Sequence, residues 1–197
     1  MDKLSYAWGL AMGRQLKGMG VNTLNVDDFT NAVKSVFDGS EPAMPVEEAQ
    51  KLINEYLSDL QKKAEEAAKA VGKQFLEENK KNENVKETST GLQYVVEKEG
   101  EGAQPTAEDE VTVHYTGRLL DGTVFDSSVN RGEPATFPLN RVIPGWTEGV
   151  QLMKEGAKYT FFIPSDLAYG PQGVPGAIPP HSTLIFDVEL IKVNKKA

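Results

Sequence analysis

The spacing of apolar residues changes once along the chain, and this change limits the fold more than any other feature. Up to about residue 80, apolar residues recur every three or four positions, as in amphipathic helices. Beyond about residue 90 they alternate with polar residues, as in strands with one buried face. The stretch between, Lys81 to Thr90, is polar and indicates a boundary. The order predicts an all-α segment followed by an α+β domain.

Two short helices are predicted at the start of the chain. The first covers about residues 4–19 and ends at Gly18 and Gly20, because glycine favours the end of a helix. The second begins near Asp27, whose negative charge suits a helix N-terminus, and ends at Gly39. Both helices carry an apolar stripe on one face.

A third helix begins at Pro45 and its pattern continues to about Asn82, which gives a length of roughly 50–55 Å. Such a helix cannot bury its stripe against itself, and two short helices cannot cover it. We therefore expect a homodimer in which a second copy completes the core. A compact three-helix monomer is the alternative, and it requires a break near Gly72. After Leu60 the stripe is mostly alanine, which favours a freestanding strut over a packed helix. The stripe consists of Val46, Ala49, Ile53, Tyr56, Leu60, Ala64, Ala67, Val71 and Phe75.

The second half predicts an antiparallel sheet of about five strands wrapped over one short helix. The helix candidate is Trp146–Met153, and it lies between the second and third of the clearest strands. The residues that alternate with polar neighbours are Leu92, Tyr94 and Val96; Val111, Val113 and Tyr115; Tyr159, Phe161 and Ile163; and Leu184, Phe186, Val188 and Leu190.

Composition excludes several classes of protein. The formal net charge of −8 argues against nucleic acid and anionic lipid as partners. The chain has no cysteine, which excludes disulfides, thiolate metal sites and cysteine nucleophiles. No 18-residue apolar run predicts a membrane span. Residues 1–5 lack the layout of a signal peptide, so we expect a cytoplasmic protein. The periplasm or cell envelope is the alternative if a signal segment was removed before this sequence begins.

The usual catalytic motifs are absent. The two histidines, His114 and His181, belong to no metalloprotease, hydrolase or nucleotide-binding pattern. His114 lies between two apolar residues of a strand, where a structural histidine with a partner is expected. His181 follows two prolines in a loop, where a role in the turn or an exposed position is expected. We therefore expect no metal and no cofactor.

Aromatic residues near strand ends and loops are what remains as candidate chemistry. Phe125 and Asp126 follow a turn signal, Asp121-Gly122-Thr123. Tyr169 opens a stretch rich in proline and glycine, residues 171–180, which is too stiff for a core and predicts a rigid flap at a rim. Any one of these rings alone is more simply explained as core.

Several motifs in the second half match one known family in order and spacing. They resemble the FKBP family of peptidyl-prolyl isomerases over about residues 89–194, and a set of motifs in one order is specific. These motifs are Val113-His114-Tyr115-Thr116-Gly117, Gly122-Thr123-Val124-Phe125-Asp126-Ser127-Ser128, Val142-Ile143-Pro144-Gly145-Trp146, Ala168-Tyr169-Gly170, Ile178-Pro179-Pro180 and Leu184-Ile185-Phe186-Asp187-Val188-Glu189-Leu190.

The first half resembles the dimerising segment of the macrophage infectivity potentiator-like subgroup of that family. Ser5-Tyr6-Ala7-Trp8-Gly9 and Gly13-Arg14-Gln15-Leu16 carry this weaker resemblance. It implies a helical dimerisation segment in residues 1–43, a long connecting helix and hinge in residues 44–88, and an isomerase domain in residues 89–197.

The resemblance implies a set of site residues. The catalytic set is Tyr115, Phe125, Asp126, Trp146, Tyr169 and Phe186, and the substrate-binding set is Val142, Ile143, Ile178, Phe137 and Ala135. Trp146 would form the floor beneath the proline ring. The chain departs from many members at Ala135, where an aromatic wall is common, and at Val174 and Ala177 in the flap, so we expect a more open rim.

The implied function is peptidyl-prolyl cis-trans isomerisation in folding proteins, with chaperone activity that depends on the dimer. The alternative is a non-catalytic holding chaperone that binds unfolded chains through the same apolar pocket. The implied partners are proline-containing unfolded or flexible polypeptides and macrolides such as tacrolimus or rapamycin.

Overall fold

The computed structural model describes residues 1–196 and divides into two compact units, which meet between Lys63 and Ala64. The first unit is helical, and the second contains one antiparallel sheet with helices packed on it. The described residues contain three long helices. Their bounds are α1, Lys3–Gly18; α2, Val26–Asp38; and α3, Val46–Asn79.

Side chains cap the starts of the first two helices, and glycine ends the second. The Asp2 carboxylate accepts a hydrogen bond from the Ser5 backbone N–H at 2.7 Å, and the Asn25 side chain accepts from the Asp27 N–H at 3.0 Å. Gly39 ends α2 with a φ of 66°, a conformation that glycine adopts without a steric penalty. Both predicted short helices are confirmed to within a residue or two.

The first unit buries none of its large apolar side chains. Neither α1 nor α2 contains a buried residue, and Phe37 is 86% exposed. Exposed apolar side chains on three helices leave this unit without a core of its own. They include Leu4, Tyr6, Trp8, Leu10, Met12, Val36, Phe37, Leu52, Ile53 and Tyr56.

Helix α3 is continuous through Gly72, so the break that a compact three-helix monomer requires does not occur. Its 34 residues give a length of about 50 Å. No helix among residues 1–196 has both the length and the apolar content to cross a membrane.

The expectation that the alanine-rich end of α3 stands free is wrong for residues 64–79, which belong to the second unit. Gly72 is buried, and a Cβ atom at this position would lie 2.4 Å from the Thr183 Oγ1. The Phe75 ring lies 5.9 Å from the Phe162 ring, between centroids. Small residues therefore permit a close approach of helix and sheet here.

The second unit is built on a seven-stranded antiparallel sheet in the order β1-β2-β6-β7-β3-β4, with β5 paired to β3. The predicted α+β class is confirmed. The count exceeds the expected five because β1 has two residues and β4 and β5 have four each, too few to show alternation. The bounds are β1, Lys86–Glu87; β2, Gln93–Lys98; β3, Glu110–Leu119; β4, Val124–Ser127; β5, Ala135–Pro138; β6, Lys158–Ile163; and β7, Leu184–Asn194.

Two short helices accompany the sheet. They are α4, Ser128–Arg131, and α5, Pro144–Val150. Helix α5 corresponds to the predicted Trp146–Met153 but begins two residues earlier, at a proline, and ends three residues earlier. Trp146 and Val150 of α5 are buried with the inward-facing residues of the sheet, and this packing forms the core of the unit. The core includes Leu92, Val111, Val113, Tyr115, Phe161, Ile163, Leu184, Phe186, Val188 and Leu190.

Gln93 is a fully buried polar residue at the contact between α3 and the sheet. Its amide donates to the Leu76 carbonyl at 2.9 Å and to the Glu87 carboxylate at 3.1 Å, and its Oε1 accepts from the Asn79 side chain at 3.0 Å. The Gln93 side chain therefore supplies hydrogen-bond partners to polar groups at the end of α3, where the helix meets the sheet.

Gln93→Leu should lower the free energy of unfolding of the second unit by about 1–3 kcal/mol, because the Leu76 carbonyl and the Asn79 amide lose their partner. Urea denaturation followed by near-ultraviolet circular dichroism measures this change. The exposed Glu83→Leu is the matched control and should stay within about 0.5 kcal/mol of wild type. Equal stability of the two variants would contradict the role of Gln93.

Candidate active site

A cavity with a volume of about 590 Å³ opens on the second unit, between α5, the sheet and the loop after β6. Its lining is mainly aromatic and aliphatic, as in many small-molecule sites. The lining residues are Tyr115, Phe125, Asp126, Phe137, Arg141, Val142, Ile143, Trp146, Tyr169, Val174, Ala177, Ile178 and Phe186.

Trp146 lies at the centre of the aromatic lining and is only 4% exposed. Its ring meets Tyr115 at 5.2 Å between centroids, Phe186 at 5.3 Å and Phe137 at 5.9 Å, each at an angle near 90°. Phe125 contacts Phe186 in the same edge-to-face manner at 5.5 Å. Edge-to-face rings are favourable pairs. The rings therefore hold one another in place within the core, and they also line one side of the cavity.

A tight turn places Phe125 and Asp126 at the cavity. The Leu119 N–H donates to the Thr123 carbonyl at 2.9 Å, and the Asp121 side chain accepts from the Thr123 N–H at 2.8 Å. Strand β4 then runs back along β3 and brings both side chains to the wall that contains Tyr115. The predicted turn signal is thus the local cause of this wall.

The flap of residues 171–180 is held by its own backbone. Val174 and Ile178 form an isolated bridge in which each N–H donates to the other carbonyl at 2.8 Å. The His181 N–H donates to the Gly170 carbonyl at 2.9 Å and closes the base of the loop. Tyr169, 39% exposed, begins the loop at the cavity mouth, and Ile178 is buried. The predicted flap is therefore an ordered wall of the cavity.

The two histidines have structural surroundings. The His114 Nδ1 lies 3.1 Å from the Ser128 hydroxyl, as expected for a histidine with a partner in a strand. His181 is buried at the base of the flap with a φ of 56°, and its Nε2 lies 3.7 Å from the Glu65 carboxylate of α3. Neither residue lines the cavity.

Asp126 takes part in a polar network with Tyr115 and Arg131. The Tyr115 hydroxyl donates to the Asp126 carboxylate at 2.5 Å, Arg131 forms an ion pair with the same carboxylate, and Arg131 also donates to the Tyr115 oxygen at 3.0 Å. Burial opposes ionisation of Asp126, but the hydrogen bonds from Tyr115 and Arg131 outweigh it and lower its pKa. Asp126 is therefore a paired carboxylate that holds Tyr115 in place.

The two tyrosines of the cavity remain protonated at neutral pH. Burial raises the pKa of Tyr115, and its hydrogen bond to Asp126 raises it further. Burial also raises the pKa of Tyr169, with a smaller effect of the Asp126 charge. The Tyr169 hydroxyl is therefore available as a hydrogen-bond donor at the mouth of the cavity.

The structure brings together all the predicted site residues except Ala135. Ala135 lies on the same face of β5 as Phe137 and packs against the core, but its methyl group does not reach the cavity. The prediction missed two arginines, Arg131 and Arg141. Both lie in short helical turns between strands, where no periodic pattern marks a side chain as part of a site.

An antiparallel sheet that wraps over one short helix, with an aromatic-lined cavity between them, defines an FKBP-like isomerase domain. Residues 101–191 match the family of FKBP-type peptidyl-prolyl cis-trans isomerases, and residues 1–96 match the domain amino terminal to such isomerases. The two matches together span both halves of the chain.

Relatives match the chain over nearly its whole length. A probable FKBP-type peptidyl-prolyl cis-trans isomerase FkpA of Neisseria meningitidis serogroup B is 51% identical and covers 98% of this chain and 75% of its own. The FKBP-type 22 kDa peptidyl-prolyl cis-trans isomerase of Escherichia coli is 46% identical and covers 96% of this chain and 93% of its own. The outer membrane protein MIP of Legionella longbeachae is 43% identical and covers 100% of this chain and 87% of its own.

The crystal structure of FkpA from Escherichia coli has a TM-score of 0.77 and 38% identity to this chain, with coverage of 98% of this chain and 96% of that one. The chain belongs to the FKBP-type peptidyl-prolyl cis-trans isomerases, and it is an isomerase of that family.

Arg131→Gln should raise the pKa of Asp126 toward its ordinary value of 3.8, because the carboxylate loses its cationic partner. Carbon-13 NMR of the aspartate carboxyl groups over a pH titration measures the shift. Arg131→Lys keeps the charge and should give an intermediate pKa. An unchanged Asp126 pKa in Arg131→Gln would remove Arg131 from the network.

The ion pair between Asp126 and Arg131 also makes the stability of the fold depend on pH in a defined direction. A carboxyl whose pKa is lower in the folded state stabilises the fold fully above its unfolded pKa, and this contribution is lost as pH falls through the folded pKa. The stability difference between wild type and Arg131→Gln should therefore be full above about pH 4 and vanish at lower pH. Urea denaturation at several pH values measures it.

Proposed function

We propose that the ring-lined cavity is the active site and that it accelerates rotation about peptide bonds preceding proline in folding polypeptides. The observation that supports this most directly is a hollow of about 590 Å³ walled by Tyr115, Phe125, Trp146 and Phe186. A pyrrolidine ring fits such a space, with the Trp146 ring as its floor.

Rotation about a prolyl bond requires no bond to be broken. Resonance in the planar amide sets a barrier of about 18–20 kcal/mol, and the twisted transition state has less charge separation than the planar ground state. Removal of water from the bond by aromatic walls therefore disfavours the planar form more than the twisted form. An acceleration of about 10⁴–10⁶-fold requires only about 5–8 kcal/mol.

Polar groups at the cavity would orient the substrate. The protonated Tyr169 hydroxyl and the backbone N–H of Ile143 are donors for substrate carbonyls, which would hold the bond in a reactive orientation. Asp126 acts indirectly, because its carboxylate is already engaged by Tyr115 and Arg131. Ile178, Val142 and Phe137 complete the apolar surround. The same cavity would accept macrolides such as tacrolimus or rapamycin.

Tyr169→Phe should lower kcat/KM on an X-Pro tetrapeptide by about 2–10-fold, which is the effect of one hydrogen bond. A protease-free isomerisation assay measures it, with tacrolimus as an inhibitor to link activity to the cavity. Tyr6→Phe, in the first unit, is the matched control and should have wild-type activity. Full activity of Tyr169→Phe would exclude the hydroxyl from the mechanism.

The alternative, a holding chaperone without catalysis that binds through the same pocket, predicts no isomerisation of the tetrapeptide by the wild-type protein. The Tyr169→Phe variant then tests whether holding and isomerisation use the same surface. Suppression of aggregation of a proline-free client should persist in Tyr169→Phe if holding uses surfaces outside the cavity. Loss of both activities together would instead assign binding of unfolded chains to the cavity itself.

We also propose a homodimer through the first unit, with two isomerase domains that act on one client chain. The support is the exposed apolar surface of α1, α2 and the first part of α3, which a second copy would cover. Two linked sites gain avidity for one unfolded chain without any new contact. Residues 1–43 would form the dimerisation segment, residues 44–88 the connecting helix and hinge, and residues 89–197 the isomerase domain.

Phe37→Glu should convert the dimer to a monomer of 21.6 kDa, because it places a charge on the surface that the second copy covers. Light scattering at micromolar concentration measures the mass. The variant should keep its activity on tetrapeptides but be less effective on a refolding protein. Leu152→Glu, at an exposed apolar residue of the second unit, is the control and should remain dimeric. A wild-type monomer would falsify the proposal.

For the compartment we propose the cell envelope over the cytoplasm. The support is the relative named an outer membrane protein, which is 43% identical to this chain. The absence of cysteine is compatible with an oxidising compartment, where unpaired thiols are a liability.

A further inference from the structure

Arg141 lies at the rim of the cavity on a backbone segment that is held in place. It ends a short turn, Leu139–Arg141, directly before Val142 and Ile143. Leu139 is buried, its N–H donates to the Asp109 carbonyl at 3.0 Å, and its carbonyl accepts from the Thr147 hydroxyl at 2.7 Å. The backbone that carries Arg141 is therefore held from both sides, while its side chain is exposed.

The charge of Arg141 has no partner. Of the residues that line the cavity, only Asp126 and Arg141 are charged, and Asp126 is neutralised by Arg131. Within residues 1–196, the Arg141 side chain takes part in no hydrogen bond and no ion pair. An unpaired positive charge therefore remains at the mouth of a mainly apolar hollow, on a chain whose formal net charge is −8.

Arg141 also lines a second, polar cleft of about 450 Å³ beside the cavity. The two lysines of this cleft are engaged: the Lys195 Nζ lies 3.0 Å from Asp109, and the Lys196 Nζ lies 3.9 Å from Glu108. Glu110 also lines the cleft, and no ion pair joins it to Arg141. Of the three cations in the cleft, Arg141 is thus the one without a carboxylate.

We propose that Arg141 is a specificity-determining residue that favours substrates with a glutamate or aspartate within two residues of the proline. The inference rests on the proposed function, because it takes the ring-lined cavity as the site of the prolyl ring. A substrate chain that leaves the cavity toward the polar cleft passes Arg141. A carboxylate on that chain gains an ion pair, and a lysine meets like charge.

Three peptide series test the proposal, with Glu, Gln or Lys placed first before and then after the proline. A protease-free exchange assay by NMR gives kcat/KM without a protease whose own preference depends on charge. Wild type should favour the Glu over the Lys peptide by about 2–5-fold at one of the two positions, as for an exposed ion pair. This ratio should fall toward one at about 0.5 M salt, where exposed charges are screened.

Substitutions of Arg141 separate charge from shape. Arg141→Gln should bring the Glu-to-Lys ratio to about one, Arg141→Glu should reverse it, and Arg141→Lys should largely retain it. Each ratio compares two peptides on the same variant, so a change in overall activity cancels. Lys154→Gln, an exposed lysine that does not line the cavity, makes the same change in net charge and should keep the wild-type ratio.

The outcomes distinguish this inference from the proposed function. A Glu-to-Lys ratio that is the same in wild type and Arg141→Gln overturns the role of Arg141, even where tacrolimus still inhibits and Tyr169→Phe still lowers activity. If neither tacrolimus nor the Tyr169→Phe substitution lowers isomerase activity, the assignment of the cavity as the active site is overturned. The inference about Arg141 then falls with it. A ratio that follows net charge, and therefore changes equally in Lys154→Gln, also overturns the role of Arg141.

Discussion

The edge-to-face packing of Trp146 against Tyr115, Phe137 and Phe186 is the interaction on which the rest of the second unit depends. These rings are at once the core between α5 and the sheet and the walls of the cavity. Rings that meet edge to face form favourable pairs, so each ring helps to fix the position of the others. A substitution at any of the four rings would therefore change stability and the shape of the hollow together.

Much of the fold could be predicted from the sequence because its signals are local. Helix ends followed from Gly18, Asp27 and Gly39, and the long strands followed from alternation. The short strands β1, β4 and β5 were missed or merged, because two to four residues carry no period. The end of α3 was misread for a physical reason: an alanine-rich stripe indicates either solvent or a very close neighbour, and only the position of Thr183 beside Gly72 decides between them.

The residues of the candidate site were likewise predicted only in part. Its rings were predicted because they occur in motifs, and a motif carries its spacing with it. Arg131 and Arg141 could not be predicted, because each is a surface residue in sequence and becomes part of the site only through the turn that precedes it. Ala135 marks the opposite limit, since it has the right position and face on β5 but too short a side chain. The two arginines therefore depend on the tertiary arrangement of turns, which no local pattern in the sequence predicts.

The placement of the two tryptophans has a practical consequence. The chain has only Trp8 and Trp146, one in each unit, and they differ in surroundings: Trp8 is exposed on α1, while Trp146 is enclosed by other rings. Their fluorescence spectra should accordingly differ, with red-shifted emission from Trp8 and blue-shifted emission from Trp146. Replacing one tryptophan at a time makes the protein its own optical reporter, in which Trp8 senses association of the helical unit and Trp146 senses occupancy of the hollow, without an added label.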